Sequence, residues 1–452
     1  MRKTGKENVM KKINKLQKDS VFSRRDTLKL LGLCTLSMAT LGSTAKASEK
    51  TMHKARIVII GGGIGGASAA KYLRLLNPHV QITLIEPNAQ FIFCPGSNEI
   101  FPGWKSVEDL TVTYHTLKER YRTTVIQDRA LKIDYTEKSV SLAKGGKVFY
   151  DKLIVSPGPT YDYTAIEGYS LRLAKTRFPA AWHVSPQTLL LKEQILSLRK
   201  GGTVIISIPQ APYRCPPAPY ERATYIAHML QKSDPSAKVL ILDSQDSFVF
   251  DNVYPYYWEE HFGFGKPGAI LERVTPQEGG HIVKLDAATR TLTGKTGQKF
   301  TGDVLNLIPK HKAGKFAFDN ALTRGDWCPV EYKDYSSTLQ KDIYVIGDSI
   351  DSDPMPKTGY IASNQARVVV QAINDELHGK PVGTPFMVND CIAMVERGFG
   401  MTLSEIFRYD GKGKRLKARH YIPGVDENGF QQKMLGTEAE DWQENFRRSV
   451  FA

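Results

Sequence analysis

The chain has 452 residues, 41% of them hydrophobic, and a formal net charge of +14. The first 47 residues hold 11 Lys and Arg against 3 Asp and Glu, so the remaining 405 residues carry a net charge of only +6. That excess does not require a nucleic-acid partner, and no recognition motif predicts one. A chain of this length is too long for one hydrophobic core, so we expect two to three domains.

Residues 1–47 have the pattern of a twin-arginine export signal. A basic stretch leads to Arg24-Arg25, an apolar run covers residues 30–41, and Ala45-Lys46-Ala47 offers a small-residue cleavage site. The apolar run is shorter than the roughly 20 residues that cross a bilayer, which argues against a membrane anchor. We therefore expect cleavage near Ser48 and a periplasmic protein. No later segment is long and apolar enough to span a membrane.

The stretch at residues 55–76 predicts a strand, a glycine turn and a helix. Gly61 allows the sharp turn, Gly63 allows a pyrophosphate to approach the backbone, and Gly66 allows the helix to pack on the strand. The next predicted strand ends in Glu86, 20 residues past Gly66, where a carboxylate can bind the ribose hydroxyls. This pattern predicts a dinucleotide-binding fold.

Later segments are expected to complete this first fold. Residues 123–150 predict a meander of four short strands, and the strand that ends at Gly158 returns the chain to the first nucleotide fold, as in flavoproteins with two dinucleotide folds. Residues 302–308 and 342–349 predict two more returning strands, the second ending in Gly347-Asp348, where the Asp can hold a flavin ribityl chain. A helix opened by residues 354–360 then points its N-terminal amides at the flavin pyrimidine edge.

A second strand, helix and strand unit follows at residues 201–243 and has the shape of a nicotinamide-binding fold. Its turn, residues 209–219, contains prolines and bulky residues instead of glycines. Such a turn prevents the close backbone approach that a pyrophosphate needs. We therefore predict that this fold binds no NAD.

Four cysteines remain after the leader. Cys215 lies beside Arg214 and just before a helix, a setting that lowers a thiol pKa, and Cys328 precedes the Gly-Asp strand. Both segments are expected to converge near the flavin ring. The residues alone leave open whether these two cysteines form a redox disulfide or a structural one that closes a loop of about 113 residues. Cys391 is expected to be a buried thiol outside the site.

Four motifs give the chain a specific resemblance. They are Cys94-x-x-Ser97-Asn98-Glu99, Arg214-Cys215-Pro216-Pro217-x-Pro219-Tyr220-Glu221, Trp327-Cys328-Pro329-Val330, and Gly347-Asp348-Ser349 followed by Met355-Pro356-Lys357-Thr358-Gly359-Tyr360. With these motifs the chain resembles the flavoprotein subunit of flavocytochrome c sulfide dehydrogenase over essentially its whole length after the leader. That family shares its fold with sulfide:quinone oxidoreductases and acts in the periplasm with a haem c subunit.

The resemblance implies an α/β fold with two Rossmann-like dinucleotide-binding domains of glutathione-reductase type and a C-terminal α+β region. The implied domains are an FAD-binding domain at 48–165 and 297–380, a second Rossmann-like domain without an NAD loop at 166–296, and an interface domain at 381–452. FAD would be attached through an 8α-thioether to Cys94. The other residues implied to hold FAD are Gly61, Gly63, Gly66, Glu86, Gly158, Gly347, Asp348, Lys357, Thr358 and Gly359. No metal site is predicted.

The resemblance also implies a reaction. Hydrosulfide attacks a redox disulfide between Cys215 and Cys328, and two electrons then pass through FAD to haem c on a partner subunit, with which the chain forms a heterodimer. Glu221, on the first turn of the helix after Cys215, is either an acid/base group or a solvated carboxylate at a helix N-terminus. The product would be sulfur or polysulfide.

Two other functions remain open. The first is a sulfide:quinone oxidoreductase bound at the membrane surface, which the helical spacing of Ala439, Trp442, Phe446 and Val450 would suit. Because this apolar stripe is short and flanked by mixed charge, we expect it to dock on the protein's own core. The second is a sulfur-binding protein without FAD, whose purified form would not be yellow.

Overall fold

The computed structural model describes residues 55–426 and 429–452. The predicted export signal and its cleavage site lie outside the described residues. The helices are α1 (Ile64–Leu76), α2 (His115–Glu119), α3 (Leu171–Thr176), α4 (Pro186–Leu196), α5 (Ala218–Ser233), α6 (Tyr254–Phe262), α7 (Lys315–Asp319), α8 (Gly359–Leu377) and α9 (Phe430–Phe451).

The strands in the described part of the chain fall into seven sheets. In chain order they are β1 (Arg56–Ile60), β2 (Gln81–Ile85), β3 (Gln90–Ile92), β4 (Thr111–Thr113), β5 (Thr124–Ile126), β6 (Ala130–Asp134), β7 (Ser139–Leu142), β8 (Lys147–Phe149), β9 (Lys152–Val155), β10 (Pro159–Asp162), β11 (Thr203–Ile208), β12 (Lys238–Asp243), β13 (Leu271–Val274), β14 (Ile282–Asp286), β15 (Thr291–Gly294), β16 (Lys299–Thr301), β17 (Val304–Leu307), β18 (Lys310–Ala313), β19 (Ile343–Val345), β20 (Phe386–Glu396), β21 (Phe399–Asp410) and β22 (Arg415–Tyr421).

The first large sheet is parallel, in the order β19-β9-β1-β2-β5. Apart from the edge strand β5, its strands are short runs of mostly buried apolar residues, as a parallel sheet between layers of helix requires. Helices α1 and α8 pack against each other and against this sheet, and their alanines allow the close approach. The predicted meander is confirmed for β6, β7 and β8 only. Strand β5 instead extends the parallel sheet, because it pairs with β2.

The second sheet is also parallel, in the order β13-β12-β11-β17. The predicted helix after β11 is confirmed as α5. The assignment of residues 302–308 to the first fold is wrong, because β17 pairs with β11 along Val204–Ser207. All four residues of β17 are buried, so the strand is enclosed within this second layer.

The C-terminal region is an antiparallel sheet, β20-β21-β22, with α9 packed against β20 and β21. Ala439, Phe446 and Val450 of α9 are buried, so the prediction that this helix docks on the protein's own core is confirmed. Phe446 packs against Phe93, which lies in the core of the first sheet. Among the residues described, we find no helix with the length and apolar character needed to cross a membrane.

Candidate functional site

The glycine turn between β1 and α1 is tightly closed. Gly61 has a φ of +95°, and a Cβ there would lie 2.2 Å from the carbonyl oxygen of Ser156. A Cβ on Gly66 would lie 1.9 Å from the carbonyl oxygen of Gly61. A Cβ on Gly63 would meet only the Phe91 ring, at 3.5 Å, so this glycine is open on the side of the cavity described below. The turn therefore presents its backbone and the N-terminus of α1 to a ligand.

Glu86 closes the other side of this turn. One carboxylate oxygen accepts a hydrogen bond of 2.8 Å from the Gly62 amide, and the other accepts bonds of 2.9 and 2.7 Å from the backbone and side chain of Asn88. A carboxylate has about four lone-pair positions and three are used here, so about one remains for a ribose hydroxyl. The carboxylate is thus fixed in orientation before a ligand binds.

The turn opens into a large cavity of about 1230 Å³, which we call the dinucleotide cavity. Its lining includes most of the residues that the sequence predicts for FAD, namely Gly61, Gly63, Glu86, Cys94, Gly158, Gly347, Asp348 and Gly359. Gly66 lies behind the turn and packs on Gly61. The volume of this cavity, its glycine turn and its hydrogen-bond acceptors all fit FAD.

Lys357 and Thr358 take different places at the start of α8. The Lys357 ammonium donates to the carbonyl oxygens of Ile350 and Asp348, at 2.6 and 3.1 Å, so it supports the Gly-Asp segment from behind the cavity wall. Burial lowers its pKa to about 8. The Thr358 hydroxyl caps α8 and donates to Asn389 on β20 at 2.9 Å. The helix N-terminus is thereby fixed at the cavity.

A smaller cavity of about 130 Å³, which we call the thiol cavity, adjoins the first. Cys94, Ser97, Arg214 and Gly359 line both cavities. Three cysteines line the thiol cavity, together with three acidic residues and an aromatic wall. These residues are Cys94, Cys215, Cys391, Glu221, Asp390, Glu405, Tyr360, Trp442 and Phe446.

Cys215 occupies a strained backbone position. Its φ is +57°, in the left-handed region that non-glycine residues rarely adopt, and strain of this kind clusters at functional sites. Its amide donates to the carbonyl oxygen of Lys357 at 2.7 Å, which holds the turn against the start of α8. The predicted lowering of its thiol pKa is wrong. Burial, reinforced by Cys391 and Glu221, raises that pKa well above its usual value and outweighs Arg214.

The structure does not bring the two cysteines of the predicted pair to the same cavity. Cys215 and Cys391 line the thiol cavity, whereas Cys328 lines neither this cavity nor the dinucleotide cavity. Cys328 is completely buried in the core of the first sheet, and burial raises its thiol pKa to about 12. Its amide and carbonyl are both bonded to the segment that follows β19, through Ser349 and Asp351, and this pairing fixes it there.

Cys391 lines the thiol cavity beside Cys215, whereas the sequence analysis expected a buried thiol outside the site. It lies on β20, is only partly buried, and has a thiol pKa raised to about 12 by burial and the nearby carboxyl groups. All four cysteines in the described part of the chain are free thiols in this structure. The sequence offered one signal for Cys391, namely that it is a cysteine in a chain predicted to be exported. It lies on a segment to which no function had been assigned.

Glu221 lines the thiol cavity from the first turn of α5. Its carboxylate accepts a hydrogen bond of 2.7 Å from the Asn98 side chain. Burial raises its pKa to about 7, with Glu99 adding to the shift and Asn98 opposing it. The group is thus not a solvated carboxylate, and near neutral pH it can both accept and release a proton.

The second sheet has its own cavity at the carboxyl ends of its strands, with a volume of about 290 Å³. Pro209, Gln210, Ala211 and Pro212 contribute to its lining, where a glycine turn would present a bare backbone. This lining gives physical support to the prediction that the fold binds no NAD.

Comparisons with known proteins match the chain in two parts. Residues 55–185 match the family described as pyridine nucleotide-disulphide oxidoreductase, and residues 188–309 match the central part of the sulfide dehydrogenase (flavocytochrome c) flavoprotein chain. The sulfide-quinone reductase of Aquifex aeolicus is 32% identical over 213 residues, which are 47% of this chain and 46% of that relative. The aligned region thus spans about half the length of that relative.

A second relative is the sulfide dehydrogenase (flavocytochrome c) flavoprotein chain of Chlorobaculum thiosulfatiphilum. It is 56% identical over 45 residues, which are 10% of this chain and 94% of the relative's sequence. The solved structure of the sulfide:quinone oxidoreductase from Aquifex aeolicus has a TM-score of 0.63 at 18% identity, covering 88% of this chain and 91% of that one. This structural likeness supports the α/β fold with two Rossmann-like layers.

Proposed function

We propose that this chain oxidises sulfide with FAD, on the premise that it belongs to the superfamily of flavin disulfide oxidoreductases. That superfamily includes flavocytochrome c sulfide dehydrogenase flavoprotein chains and sulfide-quinone reductases. The single observation that carries the proposal is the adjoining pair of cavities. One suits a dinucleotide, and the other, which adjoins it, is lined by both Cys215 and Cys391.

The thiol chemistry runs through a disulfide between Cys215 and Cys391. Hydrosulfide attacks one sulfur, so the disulfide bond breaks, a persulfide forms on that cysteine, and the other cysteine leaves as a thiolate. A second hydrosulfide attacks the outer sulfur of the persulfide, which frees the second thiolate and releases hydrogen disulfide. FAD held by the residues of the dinucleotide cavity would supply the two-electron acceptor that re-formation of the disulfide from the two thiolates requires.

Glu221 provides the proton handling that this cavity needs. Because burial disfavours both thiolates, a base beside them lowers the cost of forming each one. With a pKa of about 7, Glu221 can take a proton from a thiol and return it to the departing sulfur species. Arg214, which lines both cavities, contributes a positive charge that favours anionic sulfur.

We propose further that the electrons go to haem c on a partner subunit in the periplasm. The match to the flavocytochrome c central family and the twin-arginine pattern of residues 1–47 support this assignment. We also propose covalent attachment of FAD to Cys94, since its side chain lines both cavities. The competing function is quinone reduction, favoured by the likeness to sulfide-quinone reductases and by the aromatic wall of Tyr360, Trp442 and Phe446.

The test uses the purified full chain with its flavin. Anaerobic addition of sulfide should bleach the flavin, and subsequent addition of ferricytochrome c should restore the yellow colour faster than decylubiquinone does. Faster reoxidation by the quinone would replace the cytochrome assignment with the competing one. Failure of sulfide to bleach the flavin would overturn the proposed reaction itself.

A further inference from the structure

A row of polar side chains crosses the C-terminal sheet from the thiol cavity to the surface. The pairing of β20, β21 and β22 aligns Asn389, Glu405 and His420 on one face of the sheet. Asn389 and Glu405 are buried and line the thiol cavity, whereas His420 lies on the edge strand with its side chain 63% exposed. We call these three residues the polar row. It joins a carboxyl group of the cavity wall to a group in contact with solvent.

Hydrogen bonds fix the orientation of the polar row. The Thr358 hydroxyl accepts a bond of 3.1 Å from the Ile361 amide, so its own proton goes to the side-chain oxygen of Asn389, at 2.9 Å. The Asn389 side-chain nitrogen then donates to one carboxylate oxygen of Glu405 at 2.8 Å. The other carboxylate oxygen of Glu405 lies 3.5 Å from Nδ1 of His420. Glu405 is thus held beside the histidine by a partner that only donates to it.

The other acidic residues of the cavity lining have different partners. Glu221 accepts a hydrogen bond from Asn98 and lies 3.5 Å from the Tyr225 hydroxyl, and both of these partners are buried. Asp390 accepts a bond of 3.0 Å from Ser404. Both residues of this second pair alternate with members of the polar row, so their side chains lie on the other face of the sheet. Neither acidic residue meets an exposed basic side chain through these bonds.

The proposed reaction requires a proton to leave the thiol cavity. Hydrogen sulfide is neutral, so it enters a buried cavity more readily than its anion does. Burial raises the pKa of the Cys215 and Cys391 thiols in the same cavity for this reason. Hydrogen sulfide must lose a proton before it attacks a disulfide, because the anion is the nucleophile. Glu221 is already engaged with the thiols, so a second group is needed for the sulfide proton.

We propose that Glu405 and His420 form the outlet through which this proton reaches solvent. The inference rests on the proposed function. The S–H bond of hydrogen sulfide breaks and an O–H bond forms on Glu405. That bond breaks in turn as Nδ1 of His420 takes the proton, and the imidazolium then releases a proton to water. No electrons move in these steps, and the outlet returns to its starting charge.

The chemistry of both groups suits this transfer. Burial raises the pKa of Glu405 above its usual value, and its two hydrogen-bond partners oppose the rise. A carboxyl group shifted towards neutral pH can both take up and release a proton. Histidine exchanges protons with water near neutral pH. The titratable groups of neighbouring elements that share the surroundings of Glu405 are His420 on β22, Cys391 and Asp390 on β20, and Glu221 on α5.

The test uses four variants of the full chain with its flavin. Glu405→Gln keeps an oxygen for the hydrogen bond from Asn389 but removes the proton acceptor, and His420→Ala removes the exposed end of the outlet. Asp390→Asn tests the neighbouring carboxyl group. His79→Ala, at an exposed histidine between α1 and β2, is the matched control.

The first measurement is the rate of anaerobic bleaching of the flavin by sulfide, with and without imidazole in the buffer. We expect Glu405→Gln and His420→Ala each to slow bleaching at least about 10-fold, while Asp390→Asn and His79→Ala change it less than about 2-fold. Imidazole should restore the rate in His420→Ala alone, because it replaces the exposed base but not the buried carboxylate.

The sign of the Glu405→Gln effect separates the outlet from simple electrostatics. The Glu405 charge helps to raise the pKa of the Cys391 thiol, so its removal by itself eases thiolate formation and favours faster bleaching. Slower bleaching therefore indicates a lost proton route. Wild-type rates in both outlet variants, a loss in His420→Ala that imidazole does not restore, or a loss confined to Asp390→Asn would each overturn the proposal.

A second measurement tests the outlet without sulfide. The holoprotein is reduced with a phosphine and mixed with deuterium oxide, and the infrared S–H band of Cys391 is identified by its absence in Cys391→Ser. Exchange of this band should be at least about 10-fold slower in Glu405→Gln and His420→Ala than in wild type and His79→Ala. Unchanged exchange would overturn the outlet even where sulfide bleaches the flavin. Slower exchange would support the outlet even if sulfide proved not to be the substrate.

Discussion

Replacement of the cysteines one at a time distinguishes the pair that the structure supports from the pair that the sequence predicted. Cys328→Ser is the decisive variant. Its thiol is completely buried in an apolar core, so serine places a hydroxyl there without a partner. Burial of such a group costs about 1–3 kcal/mol, which corresponds to a fall in Tm of roughly 2–10 °C. The thiol cavity is untouched, so bleaching of the flavin by sulfide should continue.

Cys391→Ser should behave in the opposite way. Its side chain is only partly buried and lines the thiol cavity, so the stability cost should be about 1 kcal/mol or less. Sulfide should no longer bleach the flavin, because no disulfide is available for attack. Cys215→Ser should match Cys391→Ser in this assay, since each removes one half of the same bond.

The assay measures three quantities on each preparation: bound FAD, Tm, and the rate of anaerobic bleaching by sulfide below Tm. Retained FAD shows that a variant has folded around its cofactor. If Cys328→Ser abolished bleaching and Cys391→Ser retained it, the structural assignment would be refuted. The pairing of Cys215 with Cys328 would then be restored. Retention of bleaching in all three variants would show that no cysteine pair takes part.

Three other outcomes are expected. Glu221→Gln should slow bleaching most above pH 7, where the wild-type carboxyl with its pKa of about 7 has lost its proton and can act as a base. Because hydrogen sulfide also titrates in this range, the measurement is the ratio of the bleaching rates of wild type and Glu221→Gln as a function of pH. A ratio that does not change with pH would argue against Glu221 as the base. Acid precipitation of the holoprotein should leave the yellow colour in the pellet if Cys94 holds FAD covalently, whereas release of all flavin into the supernatant would contradict the thioether. NADH and NADPH should fail to bleach the flavin anaerobically, since residues 209–219 lack a glycine turn, and rapid bleaching by either would show that the second fold binds a nicotinamide.

The features that the sequence predicted well are those set by local spacing. The glycines at 61, 63 and 66 and the acid at 86 lie within one strand, turn, helix and strand unit, where geometry follows from the chain itself. The docking of α9 was predicted for a similar reason, because its apolar residues repeat at helical spacing and share one face.

The features that the sequence did not predict depend on which distant segments meet. Strand β17 joins the second sheet because its partner is β11, about 100 residues earlier in the chain, and an apolar run of four residues does not specify that partner. Likewise, Cys391 and Cys215 line the same cavity because β20 passes beside the start of α8, a contact that the Thr358 to Asn389 hydrogen bond fixes.

Burial also reversed an electrostatic expectation. A thiol beside an arginine and the start of a helix is predicted to have a lowered pKa. The sequence around Cys215 gives no information beyond these two neighbours. The tertiary structure encloses the thiol with Cys391 and Glu221, and the loss of hydration outweighs the charge of Arg214. Local sequence thus determined the dinucleotide turn and the helix faces. Only the packing of distant strands decided which thiols share a cavity and how readily they ionise, because desolvation depends on everything that surrounds a group.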